Sequence, residues 1–221
     1  GITMVKKWGI LLFTVFLLAG CGEKAEETTT TEKTVSTIKT ESATKNQVTI
    51  EQMRLSKKEK KILEAATTNE KVALTLKGLT KKNKSITFIG SHYKNGRLVN
   101  KEASSATFTL HQDGTDQTVN VLLQLHHEKD TYESQFSIWS NKKNDGMTKA
   151  TSSFPFKVSD YVFSAQSETV KVASGGKALI AYTAAMGKDG NSPMLEEIQK
   201  NPKQALKNKS HAYLFYIQLD K

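Results

Sequence analysis

The 221-residue sequence predicts a mainly β fold: an antiparallel β-sandwich or partly open barrel with two or three short helices. Apolar and polar residues alternate in run after run, the period-2 pattern of sheets with one wet face. Turn signals separate the runs, among them Asn95-Gly96, Asp113-Gly114, Asn144-Asp145-Gly146, Gly175-Gly176 and Lys188-Asp189-Gly190. No regular strand–helix–strand alternation occurs, so a doubly wound sheet is disfavoured.

The chain opens on a leader rather than on the fold. Lys6 and Lys7 follow Met4 and are followed by an apolar run from Trp8 to Leu18. A positive start, a short apolar core and small residues at its end make a secretory signal peptide. A spanning helix needs about 20 apolar residues, more than this run supplies. Leu18-Ala19-Gly20-Cys21 resembles the lipobox of bacterial lipoproteins. The resemblance covers only the leader. It implies cleavage after residue 20, diacylation of the Cys21 thiol and attachment to the outward, extracytoplasmic face of the cell membrane. The segments expected are a signal peptide over 1–20, a lipidated N-terminus with a flexible tether over 21–50, and a single β-rich domain over 51–221. For that domain the sequence suggests no known family.

Cys21 is the only cysteine. Once acylated, it leaves no thiol for a disulfide or a cysteine-based metal site. Residues 23–45 are dominated by Thr, Ser, Glu and Lys, with Val35 and Ile38 the only large apolar side chains. Such a segment buries too little apolar area to offset its ordering entropy. Ser56-Lys57-Lys58-Glu59 fits a capping box. It starts a helix over residues 56–66 whose narrow stripe of Ile62, Leu63 and Ala66 is expected to pack on one edge of the domain.

Strands follow. Val72, Leu74 and Leu76 alternate, then Ile86, Phe88 and Gly90, then Ala106, Phe108 and Leu110. Val119, Val121, Leu123 and Leu125 face Tyr132, Phe136 and Ile138 across a short connection at residues 128–130, the clearest hairpin. Tyr161-Val162-Phe163 and Val170-Lys171-Val172 are short strands, and residues 178–184 read as a buried one. Ser192-Pro193 and Asn201-Pro202 look like helix caps followed by proline. Tyr213, Phe215, Ile217 and Leu219 share one face of the final strand.

No motif declares an active site. The histidines are His92, His111, His126, His127 and His211, without metal-site spacing. His126 and His127 are strand neighbours and point to opposite faces; parity makes His126 exposed and His127 a rim or core residue. Ser174-Gly175-Gly176-Lys177 has the Ser-x-x-Lys spacing of penicillin-interacting enzymes. It lacks their helical setting and their Lys-Thr-Gly element, and Ser159-Asp160-Tyr161 departs from Ser-Asp-Asn. Asp113 and Asp116 flank a turn, and Glu196 and Glu197 sit in a predicted helix. Neither pair stands in an apolar setting that would raise a carboxyl pKa. No catalytic residue, metal or cofactor is assigned. Trp139, Phe154 and Phe156 are the aromatics that could contact a ligand.

The formal net charge is +10; removing Lys6 and Lys7 with the leader lowers it to +8. Such a balance favours anionic headgroups and wall polymers, screened by salt. Nucleic acid is not an expected partner. The lysines are spread along the chain without an arginine-rich helix, and an exported protein does not meet it. The sequence therefore suggests a non-enzymatic binding or structural module of the envelope, joined to lipid through Cys21 and recognising an envelope protein or anionic wall polymer. A cell-envelope hydrolase or small-ligand receptor is the alternative. Cys21→Ala is expected to abolish lipid labelling and to stop cleavage by the lipoprotein-specific peptidase; a variant still cleaved and retained on membranes would overturn the anchor.

Overall fold

A computed structural model describes residues 47–68, 70–110, 117–142 and 146–221. The leader, Cys21, most of the tether, His111, the Asp113–Asp116 turn and Asn144-Asp145 lie outside the described residues.

The described chain forms an open antiparallel β-sandwich. The first sheet contains β1 (Gln47–Gln52), β2 (Glu70–Leu79), β5 (Gln117–Glu128), β6 (Thr131–Ser140), β7 (Thr148–Pro155) and β9 (Val170–Ala173), in the order β7-β6-β5-β2-β1-β9. The second contains β3 (Ser85–Lys94), β4 (Arg97–Thr109), β8 (Tyr161–Ala165), β10 (Lys177–Ala185) and β11 (Ala212–Asp220), in the order β4-β3-β11-β10-β8. Among the described residues no ladder joins the two sheets, so the sandwich rather than the barrel is the form adopted.

β1 corrects the expected domain boundary. It lies partly within the segment read as tether, yet Val48 and Ile50 are fully buried, and it hydrogen-bonds to β2 on one side and β9 on the other. Two apolar residues suffice because β1 is hydrogen-bonded on both sides; a strand held between two others needs little hydrophobicity of its own.

α1 (Lys57–Ala66) starts as expected. Ser56 Oγ accepts from the Glu59 amide at 3.2 Å, and the Glu59 carboxylate accepts from the Ser56 amide at 2.7 Å. Its packing is different: no residue of α1 is buried, and Ile62 is 56 % exposed. The flanking strands β1 and β2 are direct partners. The helix is therefore an excursion between neighbours that the sheet does not need to cover.

The core between the layers is built from alternate residues, as the period-2 pattern requires. Ile50, Leu74, Leu76, Val121, Leu123 and Phe136 of the first sheet meet Ile86, Phe88, Phe215, Ile217 and Leu219 of the second. Phe88 stacks on Phe136 at 4.4 Å and on Phe215 at 5.8 Å. The second sheet is covered on its other face too. Leu179, Tyr182, Ala184, Ala212 and Leu214 pack beneath Ile198 of α2 (Leu195–Lys200) and Leu206, which follows α3 (Pro202–Ala205). Burial on both faces is why residues 178–184 read as a continuous apolar run. A bulge between Leu179 and Ala181 lets Ile180 and Ala181 both serve the inner core.

The α3 start is the one read from Asn201-Pro202: Asn201 Oδ1 accepts from the Gln204 amide at 3.1 Å. α2 starts later than Ser192-Pro193 suggested. The Tyr182 hydroxyl donates to the Pro193 carbonyl, and the Met194 amide donates to Glu197 Oε2 at 2.9 Å, so Met194 holds the cap position. The segment is held down by Lys209, which is 2 % exposed. Its ammonium donates to the Asn191 carbonyl and lies 3.7 Å from Asp189 Oδ1.

The Asn95-Gly96 turn has φ of 51° and 75°, the left-handed pair of a two-residue hairpin. The Asn95 amide donates to the Lys209 carbonyl at 2.8 Å. A Cβ on Gly96 would collide with the Lys203 carbonyl. Gly96→Ala is therefore expected to destabilise the fold by about 2–4 kcal/mol, combining left-handed strain with a backbone collision. The fall in urea midpoint, with unchanged slope, measures it.

Candidate functional site

One end of the sandwich opens into a cleft of about 580 Å³ between β4, the start of β5, the end of β6 and the start of β7. Phe108, Leu110, Val119 and Ile138 form its apolar floor, continuous with the core. Thr107, Thr109, Gln117, Ser140 and Asn141 supply hydrogen-bonding groups, and Trp139 lines it. Trp139 is partly buried and Met147, also in the lining, is 50 % exposed. One lip is braced from the sheet. Thr75 Oγ1 donates to Asn120 Oδ1 at 2.9 Å, and Asn120 Nδ2 donates to Asn141 Oδ1 at 2.7 Å, with Thr75 and Asn120 both buried. Among the described lining residues Lys142 is the one ionisable side chain.

Phe154 and Phe156 do not join Trp139. They are 4 % and 0 % exposed, at the opposite end of the sandwich, so neither ring is presented to a ligand. Alternation gave no guide around Pro155. There the chain leaves β7 and turns inward, with the Phe156 amide donating to the Asp130 carbonyl at 2.8 Å. Both rings enter an aromatic cluster. Tyr132 stacks on Phe154 at 5.8 Å and meets Phe156 edge-on at 5.1 Å; Tyr213 lies 4.0 Å from Phe154. The Tyr213 hydroxyl donates to the Pro155 carbonyl at 2.7 Å, and burial pushes that phenol up to about 12. Tyr161, pushed to about 12 first by burial and then by its bond to Glu70, donates to Glu70 Oε1 at 2.7 Å.

His127 lies in this cluster, as its strand parity required, and His126 is exposed. His127 Nε2 is 3.2 Å from the Phe156 carbonyl, an acceptor, so this nitrogen carries the proton. His92 and His211, which the sequence left apart, are brought together by the pairing of β3 with β11. His92 Nε2 and His211 Nδ1 are 3.1 Å apart with the rings 6° from parallel, and His92 stacks on Tyr213 at 4.5 Å. One proton fits between the two nitrogens; two would face each other. Burial pulls both pKa values below the ordinary histidine range, reinforced at His92 by His211 and Lys94 and at His211 by Lys94.

The remaining motifs have structural roles. Ser174 receives a hydrogen bond from Asn83 at 3.3 Å beside a strand connection, not at a helix start. Lys177 lies 4.5 Å over the Tyr216 ring. Glu197 is spent on the α2 cap. Among the described residues no three His, Cys, Asp or Glu side chains are grouped to hold a metal ion, and no helix is long and apolar enough to cross a membrane.

The histidine pair implies a pH dependence. In the unfolded chain each histidine titrates near 6.5; in the folded protein each titrates lower. Between those values the unfolded state binds more protons, so stability rises with pH. The contribution is complete above about pH 6.5 and is lost as pH falls through the folded-state values. Urea midpoints at about pH 7.5 and about pH 5.5 should differ, and His211→Gln should flatten that difference.

Comparison with known proteins overturns one expectation. No curated protein and no solved structure matches the chain. Residues 49–219, from β1 through β11, match the family model of the YgaN domain. The β-rich domain is thus a recognised one, contrary to the reading of its sequence. The chain belongs to the YgaN domain family.

Proposed function

We propose that this protein is a membrane-anchored extracytoplasmic lipoprotein. Lipid on Cys21 holds it, and its domain is a non-enzymatic binding module of the cell envelope whose ligand enters the Trp139 cleft. The observation that carries the proposal is the cleft: an apolar floor, with hydroxyl and amide residues and Trp139 in its lining. Its volume of about 580 Å³ falls in the range of small-ligand sites. Such a lining suits a ligand with both a flat apolar face and hydrogen-bonding groups, as sugars and peptides of a wall polymer have. The brace from Thr75 through Asn120 to Asn141 keeps one lip preorganised, which lowers the ordering cost of binding. An apolar floor ringed by uncharged hydrogen-bonding side chains is the lining of a small-ligand binding site, and that favours binding.

The test is retention of purified peptidoglycan, wall polymer or membrane proteins by the intact protein, with Trp139→Ala alongside. Loss of one stacking aromatic should weaken capture about tenfold or more, while the urea midpoint stays close to wild type. Full capture by Trp139→Ala would remove the cleft from the proposal. An intact protein that retains none of these materials would end the binding-module reading.

A further inference from the structure

α1 is folded, capped and uncovered. All ten of its residues keep solvent contact, and Leu63 alone is even half-buried. A helix this short is marginal in water when no tertiary packing supports it. Its apolar side chains are nonetheless gathered. Ile62 and Ala66 are one turn apart, with Leu63 beside them and Glu59 on the same face one turn nearer the N-terminus, while Lys57, Lys60 and Lys61 occupy the opposite side and Lys58 flanks Ile62. Two acidic residues accompany them. Glu59 is committed to the cap, held low by its bonds from the Ser56 amide and hydroxyl; Glu64 lies on the lysine side. Arg54, just before the helix, adds another positive charge. An exposed apolar stripe backed by four lysines is the form of helices that lie in a lipid interface.

We propose that α1 is a membrane-contact element, which seats Ile62, Leu63 and Ala66 among the headgroups of an anionic lipid surface with its lysines spread on the phosphates. The inference deepens the anchored-lipoprotein reading and rests on it for the proximity of a membrane. Lipid on Cys21 would leave residues 22–46 between bilayer and domain. A segment of that many residues reaches at most about 80–90 Å. That length holds α1 at high effective concentration beside the surface, so even a weak contact is populated. Each lysine close to an anionic surface raises binding about fivefold. The contact is thus governed by lipid charge and by salt, and it sets which way the Trp139 cleft faces. An anionic wall polymer could attract the same lysines, but it offers no apolar layer for Ile62.

The test uses the full-length chain with Cys21→Ser and Ile62→Cys, so that position 62 carries the sole thiol and an environment-sensitive fluorophore. It is mixed with phosphatidylglycerol-containing vesicles, with phosphatidylcholine vesicles, or with soluble anionic polymer. The expected result is a blue shift on the anionic vesicles only. Replacing Lys57, Lys58, Lys60 and Lys61 with Gln should raise the lipid needed for half the shift at least tenfold, while thermal unfolding is unchanged because none of these residues is buried. A label at Lys171, on β9, should not shift. No shift, an equal shift on neutral vesicles, a shift that survives loss of the lysines, or the same shift with soluble polymer would overturn the proposal. The assay contains no acylated chain, so its outcome is independent of lipid labelling at Cys21, which alone decides the anchor.

Discussion

β11 hydrogen-bonds to β3 from Ala212–Tyr93 to Asp220–Ser85, and on its other side to β10. Everything else in the second sheet depends on that insertion. Its inward residues Tyr213, Phe215, Ile217 and Leu219 complete the interlayer core, and its outward residues Ala212 and Leu214 make the floor on which α2 and α3 sit. The strand's end is fixed by polar contacts. Asp220 Oδ2 accepts from Ser85 and Thr87, each at 2.7 Å. Burial opposes ionisation of that carboxyl, but the bonds from Thr87, Ser85 and Gln218 outweigh it and hold the pKa low. Removing β11 would leave β3 and β10 as unpaired edges and expose both cores at once.

The two sheets consequently differ in what they can offer a partner. The second is covered on both faces, its outer layer pinned by the buried Lys209 and by the hairpin turn at Gly96. The outer face of the first carries a polar array that runs from Thr75 to Asn141 and ends at the cleft. Among the described residues the surfaces on offer include that face, the cleft end around Trp139, α1, and a cleft of about 820 Å³ in the outer layer of the second sheet between Asp189, Glu197 and Lys209. The opposite end is filled by the stacked tyrosines, phenylalanines and histidines. The described residues thus give the sandwich a polarity, with packed aromatics at one end and the cleft at the other.

Most of the sheet structure was legible in the sequence because it depends on local rules. Alternation placed Val119 to Leu125 opposite Tyr132 to Ile138, and the ladder pairs Val121 with Ile138 and Leu123 with Phe136. Ser56 and Asn201 acted through side chains a few residues from the groups they cap. What was missed is set by distant neighbours. Val48 and Ile50 look like part of a polar tether until β2 and β9 flank them. His92 and His211 meet only across strands far apart in sequence. Lys209 is a lysine like any other until Asp189 and the Asn191 carbonyl surround it. Of the aromatics, Trp139 kept a place at an opening, whereas Phe154 and Phe156 were drawn inward where the strand pattern ends.

The position of β11 also has a temporal consequence. Translation delivers the chain from its N-terminus, so β3 and β10 are synthesised before the strand that joins them. β1 similarly waits for β9. The first layer is complete only once β9 at residues 170–173 has been made, and the second only once residue 220 has emerged. Pairings this remote close slowly. A chain arranged in this way finishes its two layers in succession, the sheet that holds both its first and its ninth strand before the one closed by its last.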